Sequence, residues 1–446
     1  MHYQNNKLSN LLSGNNKVRK LSLAVIAAIA LPNVAIAAPG DDVETLKKQV
    51  AALSAQVEKL SVKQTKVKTK GGGLEAKSPD GSKSFEMGGR FQLDLDVFDG
   101  AYNAGNDGKS ASELFPRRIR TYVEGQADAW DYKLLLDFSE GQGEITLARL
   151  RYKGFKNGPT VKLGKIREDI SLEALTSSKH ITGISRPMLA NTMSPYFKFG
   201  VSAYQYFKES GLRYAIGAYK GGSFGSNGKN ENDNLALSYT GRLTWSPVHT
   251  KTETLHFGAW ASARDFGGAV MSNKVARGEV RETNIRLVDY AAGGNKFAVD
   301  SLDQYGVEFA SVNGPLSFQA EYAKRDVNAV NPLNNFSQDG YYLTASYFLT
   351  GESRVYKKRG VFNSPKPLST DGAWEVFARV SNMDSTSATQ GTEADVTTLG
   401  VNYYLNKKIK FMANYLSADV SGPGANALVG QHDDGDALTF RVQYLF

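Results

Sequence analysis

Cysteine is absent from this 446-residue chain, and only 5 histidines, 4 tryptophans and 13 prolines occur. Without thiols there is no disulfide scaffold, zinc-thiolate site, iron–sulfur cluster or cysteine nucleophile. No spacing of His, Asp and Glu marks a metal site, and no Ser-His-Asp set or glycosidase-like carboxylate pair stands out. No catalytic residue, metal or cofactor is therefore expected, and the chain does not read as an enzyme. Long apolar runs are missing as well. Mean hydropathy is −0.37, which excludes a helical membrane bundle with its apolar stretches of about 20 residues.

Glycine and aromatics are what the chain has in quantity: 44 Gly, 22 Tyr and 22 Phe. Aromatics suit pleated surfaces and glycine suits turns, so the composition favours strands. The formal charge of +8 invites a nucleic-acid reading, but its placement does not. Lys17, Arg19 and Lys20 precede the apolar run 21–31, and Ala35-Ile36-Ala37 completes the pattern of a secretory signal peptide. Cleavage after Ala37 would remove Lys7, Lys17, Arg19 and Lys20, leaving 49 basic against 45 acidic side chains, a net +4. No nucleic-acid partner is expected of so ordinary a balance.

From Val43 the apolar positions fall at Leu46, Val50, Leu53, Val57 and Leu60. This alternating three-and-four spacing is a heptad seam. The reading is a signal peptide over 1–37, a periplasmic coiled coil over 38–70, a lysine- and glycine-rich linker over 71–84, and one large domain over 85–446. Too short to associate strongly alone, the coiled coil suits a chain already assembled downstream.

Beyond Phe85 the period is two. Phe91, Leu93, Leu95 and Val97 alternate with Gln92, Asp94 and Asp96; Leu316, Phe318, Ala320 and Tyr322 alternate with Ser317, Gln319 and Glu321. The final segment does the same, with Leu438, Phe440, Val442, Tyr444 and Phe446 set against Thr439, Arg441 and Gln443, and its terminal Phe resembles the C-terminal signature of bacterial outer-membrane proteins. Charged residues crowd one face of segments about ten residues long. That pattern predicts an inverted all-β fold, a 16-stranded antiparallel transmembrane β-barrel with lipid outside and a polar lumen. Long outer loops fall at 99–115, 168–195, 265–302 and 420–435. One segment, 351–371, is long where a short turn belongs. Parity places Arg118 and Arg120 in the lumen, with Arg149, Arg151, Arg213, Arg242, Arg264, Arg379 and Arg441. Acids point inward too, so any one arginine serves either an anion path or a wall ion pair. Loop 168–195 is too long for a bare hairpin and carries hydroxyls and cations that a fold into the pore would bring to the wall.

At these residues the chain resembles the phosphate-selective porin O and P family. The matching stretches include Gly89-Arg90-Phe91-Gln92-Leu93-Asp94, Phe115-Pro116-Arg117-Arg118, Leu163-Gly164-Lys165, Leu172-Glu173-Ala174-Leu175-Thr176-Ser177-Ser178-Lys179 and Thr350-Gly351-Glu352-Ser353-Arg354. The resemblance implies a homotrimeric outer-membrane channel for passive diffusion of small anions, phosphate or polyphosphate first. It implies a constriction at Arg90, Arg117, Arg118, Ser177, Ser178 and Arg186, to which the inward parity of Arg120 and the place of Lys179 in the loop add those two. Phosphate-specific members carry a lysine where this chain has Ala174, so a general or dicarboxylate-permeable porin stays open. A barrel serving chiefly as an envelope anchor, its coiled coil reaching toward peptidoglycan, stays open too.

Overall fold

The computed structural model describes residues 41–62, 65–70, 72–195, 197–222, 236–272 and 274–446. The expected signal peptide lies outside the described residues. A helix, α1 (Asp41–Val62), forms one compact unit, and residues from Thr65 onward form another. On α1 the seam residues Leu46, Val50 and Leu53 are 58%, 58% and 56% exposed.

The second unit opens with a hairpin, β1 (Lys66–Lys70) and β2 (Gly73–Lys77), where the sequence suggested the end of the coiled coil and a linker. Alternation in Lys66-Val67-Lys68-Thr69-Lys70 suits a strand, but it was overlaid by the last heptad positions and the glycine run. β2 pairs with the start of β3 (Lys83–Phe98). Then follow β4 (Ala111–Ala127), β5 (Trp130–Asp137), β6 (Glu144–Tyr152), β7 (Thr160–Ile166), β8 (Lys198–Phe207), β9 (Leu212–Lys220), β10 (Leu237–His249) and β11 (Glu253–Val270). Two short strands, β12 (Lys274–Ala276) and β13 (Val288–Asp289), pair within the next loop. The wall resumes with β14 (Ala298–Asn313), β15 (Leu316–Ala329) and β16 (Phe336–Phe348). A second small pair, β17 (Val355–Lys357) and β18 (Val361–Asn363), precedes β19 (Ala373–Asp384), β20 (Glu393–Tyr404), β21 (Ile409–Ser421) and β22 (Asp434–Leu445).

Leaving out the hairpin and the two small pairs, sixteen strands pair antiparallel with their sequence neighbours. β22 closes the ring on β3, from Ala437 opposite Phe98 to Leu445 opposite Arg90. Gly88 and Gly89 make the seam possible. A Cβ on Gly89 would stand 2.3 Å from the Phe446 ring and 2.4 Å from the Arg120 carbonyl.

The apolar side is outward. On β22, Leu438, Phe440 and Val442 are more than 40% exposed, while Thr439, Arg441 and Gln443 are at most 3% exposed. In water such a wall would cost tens of apolar side chains their burial; in lipid it is satisfied. Exposed aromatics gather by the short turns, where Trp130 meets Tyr152, Trp245 meets Phe257 and Trp374 stacks on Tyr403. Amphipathic rings at that level anchor a barrel at a membrane interface.

β11 and β14 run further outward than their alternation suggested, which shortens the expected loop 265–302. The register slips between Asp265 and Ala269, where Gly267 and Gly268 take φ of 71° and 74°. This glycine bulge hides the period while the ladder continues past it.

Candidate functional site

Residues 168–195 fold into the barrel, forming α2 (Leu172–Leu175) and α3 (Met188–Met193) on the way. Side chains of the far wall seize the loop's carbonyls. Arg325 donates to Thr192 O (2.7 Å), Arg379 to Ser185 O (3.1 Å) and Arg441 to Ile184 O (2.7 Å). Asn402, Lys410 and Gln443 hold Thr182, Ile181 and Lys179 in the same way. A backbone crossing an enclosed space must find such partners, because an unmet carbonyl there costs about 1–3 kcal/mol.

Segment 351–371 enters from the opposite mouth. Its β17–β18 pair meets the inward loop: Phe362 N–H donates to Thr176 Oγ1 (3.2 Å) and Ser364 Oγ to the Lys179 carbonyl (3.3 Å). Tyr356 and Phe362 pack with Leu172, Ala310 and Val312. The Tyr356 hydroxyl lies 2.6 Å from His256 Nδ1, and Arg242 donates to Gly360 O (2.9 Å). The long segment is thus an inward-folded element of the lumen, and the strand count is unaffected. Together the two inward segments pack against β10–β16 and β19–β22.

Between the inward loop and β4–β7, a cavity of about 620 Å³ remains. Arg117, Arg118, Arg120, Lys165, Arg167, Arg186, Arg281 and Arg286 line it, against the acids Asp137, Glu140 and Glu144. Eight cations to three carboxylates, in a space walled by protein, make a field that attracts anions.

A bulge places the paired arginines. Gln92 stands opposite Arg118, yet Leu93 stands opposite Pro116, so Arg117 is the extra residue. Neighbours on a regular strand point to opposite faces; the bulge lets both line the cavity. Arg118 donates to Gln92 Oε1 (2.9 Å), and Gln92 in turn donates to Gln443 Oε1 (2.6 Å) and Ser178 O (3.3 Å). Arg90 donates to Ser177 Oγ at 3.4 Å. Arg90 and Arg118 each keep a buried Nε–H with no protein acceptor among the described residues. Arg120 is neutralised by Asp137 at 2.6 Å. Arg186 donates to the Glu173 and Thr176 carbonyls (3.0 and 2.6 Å), so it braces the loop while lining the cavity.

Several other inward arginines pair with acids, either across the wall or on the loops that fold inward. Arg242 pairs with Glu308 and Arg441 with Asp94, each at 2.6 Å. Arg264 pairs with Glu168, and Arg379 with Glu279. Arg281 and Arg286 went unread in the sequence. They ride on the loop after β11, fixed where Asp96 accepts from the N–H groups of Arg281 (3.0 Å) and Glu282 (3.2 Å). Arginine at 277, 281 and 286 within one loop was the available signal.

Burial, with Arg90 nearby, pulls the Lys179 ammonium down to about 8. Its charge is present below that pH and is lost as pH rises through it. Anion preference, read as the zero-current potential across a KCl gradient, is expected to weaken from pH 7 to pH 9. Lys179→Arg should flatten the profile, since guanidinium stays charged. A flat wild-type profile would show that the Lys179 charge does not set the preference.

The comparisons agree with this architecture. A family profile, phosphate-selective porin O and P, matches residues 85–446. Porin O of Pseudomonas aeruginosa is 30% identical over 416 residues, covering 85% of this chain and 92% of that protein. The anion-selective porin from Comamonas acidovorans shares the fold at 11% identity, with a TM-score of 0.53 over 82% of this chain and 100% of that one. The trimer form of OmpT from Vibrio cholerae superposes with a TM-score of 0.50 at 9% identity, over the same shares. A closed sixteen-stranded barrel with its apolar side outward and a family match across all of it lead to one assignment: this chain is an outer-membrane protein belonging to the phosphate-selective porin O and P family.

Proposed function

We propose that the barrel passes small anions by diffusion, phosphate first, through the cavity beside the inward loop. The observation that carries this reading is the eight-to-three excess of cations there, with a buried, unaccepted Nε–H on Arg118 of its lining and another on Arg90, which holds Ser177 of the inward loop. Arg117, Arg118 and Arg90 supply the charge. Arg120, Arg186 and Lys179 support it, and Ser177 and Ser178 add neutral donors. Guanidinium forks suit tetrahedral or planar oxyanions. Several moderate donors in series suit transport better than one tight site, because the ion must leave.

In planar bilayers, added phosphate should block the chloride current, and the zero-current potential should report anion preference. A cation-preferring channel, or a chloride current indifferent to phosphate, would sink the reading. A dicarboxylate-permeable pore is the second reading, favoured by Ala174 in place of a lysine; succinate that competes as well as phosphate would select it.

The functional unit is a homotrimer in this proposal. Its support is the exposed seam on α1 and the trimeric OmpT of the same fold. The segment layout is a leader over 1–37, a periplasmic coiled coil over α1, and a hairpin leading into the barrel. Deleting 41–62 should lower the melting temperature of detergent-extracted trimers and leave the conductance of intact ones unchanged. Equal melting of the two forms would refute the coiled coil.

A further inference from the structure

After Glu168 and Asp169, which pair with Arg264, Lys162 and Arg213, the helical turn α2 of the inward loop rests on one wall carboxylate. Glu321, on β15, is buried. It accepts from Ser171 Oγ (3.1 Å), from the N–H groups of Leu172 (3.0 Å) and Glu173 (2.8 Å), and from the Tyr342 hydroxyl (2.6 Å). Among the described residues it has no ion-pair partner. Two residues along the same face, Gln319 donates to Glu173 Oε2 (2.9 Å) and to the Tyr342 hydroxyl (2.6 Å). Ser171 sits at φ 63°, ψ 131°. Non-glycine residues hold such conformations only where their surroundings over-determine them.

The rest of the loop is held differently. Residues 181–193 are gripped by their carbonyls from β14, β15 and β19–β22. The first turn is gripped by its N–H groups, and a carboxylate, with about four acceptor sites and no donor, suits the four donors that converge there. From that grip to the passage the linkage is short and stiff. Ala174 N–H donates back to Ser171 Oγ (3.1 Å), Thr176 Oγ1 donates to Leu172 O (2.9 Å), and Arg186 ties Glu173 to Thr176. Ser177 and Ser178 follow at once.

We propose that Glu321 is the positioning residue of the constriction. Its carboxylate sets where the loop turns, and through α2 it sets where Ser177 meets Arg90 and Ser178 meets Gln92. Glu321 does not line the cavity, so it acts through the loop. The inference rests on the reading of loop 168–195 as the wall of the anion passage.

Wild type, Glu321→Leu, Glu321→Gln and Tyr342→Phe are compared in planar bilayers. Glu321→Leu should move the zero-current potential toward zero and raise single-channel conductance. Glu321→Gln keeps one acceptor oxygen and should move it less; Tyr342→Phe, which removes one donor of four, should move it least. If Glu321→Leu fails to assemble, the two milder variants carry the same comparison. Because the chain has no cysteine, Ser177→Cys gives a single thiol. Its labelling by an anionic thiol reagent should speed up when Glu321→Gln is added. A wild-type channel without anion preference overturns the permeation reading itself. A selective wild type whose variants keep its zero-current potential and labelling rate overturns the role of Glu321 alone.

Discussion

Replacing Arg118 with alanine is expected to weaken phosphate block of the chloride current roughly tenfold or more. A hydrogen bond to a charged group contributes about 1.5–3 kcal/mol, and about 1.4 kcal/mol is a factor of ten. Arg118 is 6% exposed and, among the described residues, its acceptor is Gln92 Oε1 and no carboxylate pairs with it, so its charge is held in place uncancelled. The barrel should survive the change. Gln92 keeps Gln443 and the Ser178 carbonyl, and the sixteen strand pairings do not involve the side chain. Arg118→Lys should fall between the two, keeping charge and losing the planar fork. The same substitution at Arg120 should do less, because Asp137 already offsets it. A phosphate titration that gives equal half-block in wild type and Arg118→Ala would place the binding elsewhere.

Deleting residues 176–185 is expected to raise single-channel conductance by roughly several-fold and to abolish most anion preference, since sixteen strands without an inward loop leave an open aqueous channel. Arg379 and Arg441 lose loop carbonyls but keep Glu279 and Asp94. Arg325 keeps Gln304 and Gln338. The wall should therefore still close, at a lower melting temperature. Folding is checked by heat-modifiable migration on gels, and the pore by single-channel recording. Unchanged conductance in a folded deletion variant would show that the loop does not set the bore.

The wall was legible in the sequence because it is a local pattern. Each of the sixteen segments carries its own period of two, and strand closure needs no information beyond register. What failed was local as well: Gly267 and Gly268 broke the period inside β11, and the Lys66–Lys70 strand was hidden under a fading heptad. The passage was legible only in part. Arg117 and Arg118 stood out as a pair, but the bulge that lets both face inward is a property of the β3–β4 register. Where the inward loop comes to rest depends on partners such as Arg441 and Gln443, more than 250 residues from the carbonyls they hold. No spacing rule reaches so far. Arg281 and Arg286 were passed over for the same reason: a loop without periodicity gives no face, and Asp96 assigns theirs.

The meeting of the inward loop with the β17–β18 segment, at Thr176–Phe362 and Lys179–Ser364, separates two properties that a bare barrel would couple. In a bare barrel the number of strands dictates the bore. Here two insertions from opposite mouths meet inside the ring, and the one between β7 and β8 walls the cavity. Such a scaffold can drift in sequence without resizing its passage, and its filter can be retuned by a few residues without rebuilding a strand. A barrel recognisable at 11% identity to the Comamonas porin is what this division of labour permits.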